Sequence, residues 1–154
     1  MTNLCCDVLK ALKGKTLVTA ESCTGGMIGA ELTAIAGSSA VYKGGIISYT
    51  NEIKHVLLGV SIETLERDGA VSASVAEAMA TGARKAMNAD VAVSVTGLAG
   101  PGGDEYNNPV GTVYVGYADA DRCVSKHFLF QGNRYQVRKQ AAEAALSMVL
   151  EFQT

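Results

Sequence analysis

The 154-residue sequence has no CxxC pair, no basic stripe and no apolar run long enough to span a bilayer. Its four cysteines, Cys5, Cys6, Cys23 and Cys123, form neither a disulfide framework nor a zinc pattern. With a net charge of −2, bulk electrostatics give no reason to expect nucleic-acid binding. No signal-peptide pattern opens the chain, so neither membrane insertion nor secretion is expected. A reducing, cytoplasmic setting is the corresponding expectation. Histidine occurs only at His55 and His127, and neither lies in a motif that would pair it with a nucleophile. No metal or redox cofactor is expected.

Hydrophobic residues make up 48% of the chain and charged residues 18%, a balance that excludes disorder. The length fits one domain, residues 1–154, able to bury a core without staples. Glycine occurs 17 times against two prolines, without a collagen period, which points to tight turns and close backbone approaches.

Periodicity predicts a first helix over about 3–13, carried by Leu4, Val8 and Leu12. Residues 15–20 read as a strand, 21–26 as a turn, and Thr24 onward as a helix through Ile35 that Gly37 ends. A second strand is expected over 41–49. A short helix follows, capped by Asn51 and stopped at Gly59, and another runs over 61–67. Ser74 and Glu77 have capping-box spacing for a helix to about Met87. Residues 90–96 alternate as a third strand, and a Gly-rich loop spans 97–109. Strands over 110–118 and 123–130 form a hairpin. The last helix, over 134–152, presents Val137, Ala141, Ala144, Met148 and Phe152. Strands alternating with helices imply layered α/β architecture around a mixed sheet of about five strands.

Four segments carry candidate chemistry. Glu21-Ser22-Cys23-Thr24-Gly25-Gly26 lies between a strand and a helix, where backbone N–H groups and the helix dipole can assist a nucleophile or hold an oxyanion. Ser22 or Thr24 could instead only cap the helix, and Cys23 is a rival nucleophile. In Tyr49-Thr50-Asn51-Glu52-Ile53-Lys54, Lys54 could serve as the base a serine needs, if burial keeps it neutral. Tyr49 could relay the proton or hold the lysine. The alternative is an exposed lysine on a short helix. The loop Thr96-Gly97-Leu98-Ala99-Gly100-Pro101 offers backbone N–H groups to an anion or a ribose, or is a plain connector. Arg134 and Arg138, four apart at a helix N-terminus, suit a phosphate, or occupy a solvated first turn.

In their order and spacing these segments, with Pro109-Val110-Gly111-Thr112-Val113 and Gly132-Asn133-Arg134, closely resemble the CinA C-terminal domain family over about residues 15–152. The family's characterised activity is nicotinamide-nucleotide amidohydrolase (NMN deamidase). The resemblance implies a three-layer α/β/α sandwich that converts nicotinamide mononucleotide and water to nicotinate mononucleotide and ammonia. It implies Ser22 as nucleophile, Lys54 as base and Tyr49 as proton relay. Cys23, Thr24, Gly25 and Gly26 would hold the reacting amide. Thr96, Gly97, Ala99, Gly100, Thr112, Arg134 and Arg138 would line the nucleotide pocket. Thr50 stands where serine is common in the family and Leu98 where isoleucine is, both conservative departures. Longer members carry a further N-terminal domain with separate nucleotide-cleaving chemistry, which is not expected of these residues. The alternatives are a non-catalytic nucleotide-binding module of the same fold, a thiol hydrolase using Cys23, and a structural role. An apolar surface on the first or last helix could support a homodimer.

Overall fold

The computed structural model describes residues 1–154. Five strands form one sheet: β1 (Leu17–Glu21), β2 (Tyr42–Ile47), β3 (Val91–Gly97), β4 (Thr112–Ala118) and β5 (Cys123–Leu129), in the order β2-β1-β3-β4-β5. β1 pairs in parallel with β2 and β3, while β3–β4 and β4–β5 are antiparallel. The sheet is therefore mixed, as expected. β1 and β3 are central and buried on both faces, so neither shows polar–apolar alternation.

Side-chain alternation still sorts the core into two layers. Leu17, Val91, Val93, Val95, Val113 and Val115 point to one face. There they meet α1 (Thr2–Ala11), α2 (Met27–Thr33) and α6 (Arg134–Gln153). Val18, Ala20, Ala92 and Ala118 point to the other. They meet α3 (Asn51–Leu58), α4 (Ile62–Asp68) and α5 (Ala73–Ala86). Leu12, Ile28, Leu32 and Leu146 are fully buried; burial of each such side chain stabilises by about 1.5–3 kcal/mol. The result is a three-layer α/β/α sandwich. No helix is long and apolar enough to cross a membrane.

The second layer fixes the position of α3. Gly82 of α5 lies against the end of α3, where a Cβ would collide with the Leu58 carbonyl. Only glycine allows the two backbones that approach, and α3 carries Lys54.

Several helix starts differ from expectation. The cap of α3 is Thr50, whose side chain accepts from the Ile53 amide, rather than Asn51. The cap of α5 is Ser72, accepting from the Val75 amide, rather than Ser74. In both cases the side chain that reaches an orphan amide lies earlier than the capping motif suggested. α2 begins at Met27, not Thr24, because Gly25 and Gly26 adopt left-handed φ values of 60° and 103°. α6 has a full capping box between Asn133 and Gln136.

Candidate active site

The chain crosses from β1 to β2 through α2 on one face of the sheet. It returns to β3 through α3–α5 on the other. Ligand crevices of α/β sheets form at such a reversal, outside the carboxyl ends of the strands. A cleft of about 610 Å³ opens there, within the usual range for small-ligand sites.

Ser22 follows the last residue of β1, and its amide donates to the Val95 carbonyl of β3 at 3.0 Å. Lys54 reaches it from the first turns of α3, on the opposite side of the cleft. The Lys54 Nζ lies 2.9 Å from Ser22 Oγ, 2.9 Å from the Ser48 carbonyl and 3.3 Å from the Tyr49 carbonyl. Lys54 is 1% exposed, so it is not the solvated lysine of a surface helix. Burial lowers its pKa from 10.5 to about 8. The charged ammonium donates to all three oxygens. A neutral amine has two N–H donors and one lone pair. The two carbonyls can take the donors, leaving the lone pair to accept from the Ser22 hydroxyl.

Cys23 is also buried in the cleft wall, but burial raises its thiol to about 11. It is a neutral thiol near pH 7 and a weak nucleophile. The Cys23 group acts on Lys54 in the opposite direction, but burial is the larger effect.

The turn after Ser22 is organised by Glu21, a residue that sequence reasoning left in the turn without a role. Its carboxylate, 2% exposed, accepts from Thr24 Oγ1 at 2.8 Å, the Ile28 amide at 2.9 Å and the Gly29 amide at 3.1 Å. It thereby caps α2 from within. The α2 amides expected to assist the nucleophile are thus committed to Glu21. The amides of Cys23 and Thr24, beside Ser22, make no backbone hydrogen bond.

Ser22, Cys23, Tyr49, Lys54, Thr96, Gly97, Ala99, Gly100 and Arg134 all line the cleft. Five expected residues do not. Thr24 is buried behind Ser22 on Glu21, and Gly25 and Gly26 form the turn beneath it. Thr112 is buried, with its hydroxyl donating to the Pro109 carbonyl at 2.6 Å, so it shapes the loop from behind. Arg138 donates to the carbonyls of Cys23 and Thr24 and leaves the cleft to Arg134. The Tyr49 hydroxyl, expected as a proton relay, makes no hydrogen bond to Ser22 or Lys54. That hydroxyl sits on a side chain 59% exposed and accepts from Arg134 at 3.1 Å. Lys54 meets only the Tyr49 carbonyl, and Ser22 meets Lys54 directly.

The outer wall is the Gly-rich loop. Arg134 is tied to it by donation to the Gly100 carbonyl at 2.6 Å. The amides of Ala99, Gly100, Gly102 and Gly103 make no backbone hydrogen bond. Asp104 accepts from the amides of Tyr106 and Asn108. The Tyr106 hydroxyl donates to the Glu66 carbonyl at 2.7 Å, fastening the loop to α4. An Asp with acceptable amides two and four residues on is an Asx-turn signal that sequence reading could have used. No three His, Cys, Asp or Glu side chains are grouped to hold a metal ion.

The CinA C-terminal domain model matches residues 1–153. A CinA-like protein of Geobacter sp. strain M21 is 50% identical over 139 residues, covering 90% of this chain and 34% of its own length. The nicotinamide-nucleotide amidohydrolase PncC of Enterobacter agglomerans is 51% identical over 143 residues, 92% of this chain and 87% of its own. The chain thus spans about a third of the CinA-like relative and most of the PncC relative. Among solved structures, a CinA superfamily protein from Klebsiella pneumoniae 700603 superposes with a TM-score of 0.96 at 35% identity, covering 99% of this chain and 96% of its own. The competence/damage inducible protein CihA of Agrobacterium tumefaciens does so with 0.95 at 38% identity, covering 99% and 95%.

Proposed function

The chain belongs to the CinA C-terminal domain family, and from that premise we propose that it is an amidohydrolase in which Ser22 attacks and Lys54 is the base. The observation that carries this reading is the 2.9 Å contact between the Lys54 Nζ and Ser22 Oγ inside a cleft that also holds unpaired amides. The substrate is nicotinamide mononucleotide, in keeping with the 51% identical relative named as a nicotinamide-nucleotide amidohydrolase.

In this mechanism neutral Lys54 takes the Ser22 proton as Oγ bonds to the carboxamide carbon. Negative charge develops on the amide oxygen and is held by the Cys23 and Thr24 amides. The carbon–nitrogen bond then breaks, and Lys54 returns its proton to the leaving nitrogen, which departs as ammonia. Water, deprotonated by Lys54, attacks the nicotinoyl ester; the acid is released and Ser22 regains its proton. The sum is amide plus water giving acid plus ammonia. Every step uses the same pair of groups, and no further co-reactant enters the balance.

Arg134 and the amides of the Gly-rich loop take the nucleotide's phosphate, remote from the reacting bond. Binding energy gained there orients the amide against Ser22. Tyr49, hydrogen-bonded to Arg134, belongs to this substrate side of the cleft.

Ammonia release tests the reading, measured with nicotinamide mononucleotide, its phosphate-free riboside and free nicotinamide. The expected order of kcat/KM is mononucleotide, then riboside, then nicotinamide. Folded protein that releases no ammonia from the mononucleotide would overturn the substrate assignment.

A further inference from the structure

Arg138 has the chemistry of an anion-binding residue but is turned away from the cleft. Its Nε donates to the Cys23 carbonyl at 2.9 Å and its second terminal nitrogen to the Thr24 carbonyl at 3.1 Å. No carboxylate pairs with it, since the ion pairs of the chain are Arg67–Asp68, Arg122–Asp119 and Lys126–Glu151. A Cβ on Gly25 would stand 3.5 Å from the same guanidinium, so the arginine underlies the turn that follows Ser22.

Two consecutive peptide planes are thereby held by one rigid fork. The Cys23–Thr24 and Thr24–Gly25 bonds are trans, because the only cis bond joins Gly100 to Pro101. In a trans peptide the N–H points opposite to the C=O. Carbonyls directed at Arg138 therefore direct the Thr24 and Gly25 amides away from it. The Gly25 amide closes the turn on the Ser22 carbonyl at 3.1 Å, while the Thr24 amide has no backbone acceptor.

We infer that Arg138 is a positioning residue for the reaction: it clamps the Cys23 and Thr24 carbonyls so that the Thr24 amide is set for the oxyanion, and it does not bind the substrate's phosphate. The inference rests on the serine-nucleophile reading above and adds a second role for the α6 N-terminal region. Arg134 faces the substrate and Arg138 faces the nucleophile's turn. Fixed donors need no reorganisation as charge develops, which is why holding them matters for rate rather than for binding.

The test compares wild type with Arg138→Ala and Arg138→Lys. It measures kcat and KM for ammonia release and the rate at which a fluorophosphonate probe labels Ser22. In labelling, the Ser22 oxygen bonds to phosphorus, fluoride leaves, and the phosphoryl oxygen uses the same donors without any nucleotide contact. The clamp predicts that kcat and labelling fall together by about tenfold or more, toward the ~10²–10³ typical of a lost oxyanion donor. KM stays near wild type, and added methylguanidinium partly restores Arg138→Ala. Raised KM with unchanged labelling would overturn the inference and return Arg138 to substrate binding. If Arg138→Ala does not fold, Arg138→Lys decides the matter, because it keeps the charge but cannot span two carbonyls as a fork. Failure of the underlying reading looks different: wild type itself would not be labelled at Ser22, and the inference would fall with it.

Discussion

Lys54 and Ser22 stand 32 residues apart in sequence and 2.9 Å apart in space, each buried, with the lysine's other partners both backbone carbonyls. No carboxylate forms an ion pair with the lysine. Burial lowers the lysine's pKa and so brings the neutral amine, the form able to accept a proton, within reach near neutral pH.

The pH dependence of the reaction follows from that arrangement. Lys54 must be neutral to act, and its pKa is lowered to about 8 by burial. At pH 7 roughly one molecule in ten is then competent. The free-enzyme kcat/KM should rise about tenfold per unit below pH 8 and level off above it. A flat profile from pH 6 to 9 would mean that Lys54 is not the base.

Stability should carry the same signature. The folded-state pKa of about 8 lies below the ordinary 10.5, so between these values the unfolded chain binds more protons. Stability contributed by this group therefore rises with pH across that window and is lowest below pH 8. Relative to Lys54→Met, wild type should gain up to about 3 kcal/mol between pH 8 and 10.5, from the free-energy equivalent of the shift. Denaturant titrations of both proteins at several pH values measure it, with the difference between them as the readout.

Arg134→Ala should lose rate selectively on the phosphate-bearing substrate. The riboside lacks the group Arg134 is proposed to hold, so the variant should handle it no worse than wild type does. Paired kcat/KM measurements on the mononucleotide and the riboside check this, and equal losses on both would remove the phosphate assignment.

Cys23→Ala should keep most of its activity, within about tenfold of wild type, since deleting one buried Sγ leaves the Ser22–Lys54 pair in place. With its thiol near 11, Cys23 should also resist iodoacetamide at neutral pH. Rapid inactivation protected by substrate, with Ser22→Ala still active, would instead make Cys23 the nucleophile.

Legibility in the sequence divided along physical lines. The strands and the alternation of helices with strands were readable because each is signalled within a few residues. So was the segment around Ser22, through its glycines. The orientation of a side chain across the fold was not. Arg134 and Arg138 look equivalent on a helix, yet one turns to the cleft and the other to the Cys23–Thr24 turn. Thr112 and Thr24 read as site residues but support it from behind. Glu21 was opaque for the opposite reason. Its partners lie on a helix whose start is shifted by left-handed glycines, and capping motifs place the acceptor much nearer the helix than this carboxylate is in sequence.

The most direct test of the central claim is ammonia release from nicotinamide mononucleotide by wild type, Ser22→Ala and Lys54→Met, with melting temperatures measured on the same preparations. The Ser22–Lys54 account predicts turnover by wild type and loss of at least about 10³-fold in each folded variant, as expected when a nucleophile or its base is removed. Turnover by folded Ser22→Ala or Lys54→Met at a rate close to wild type would contradict it.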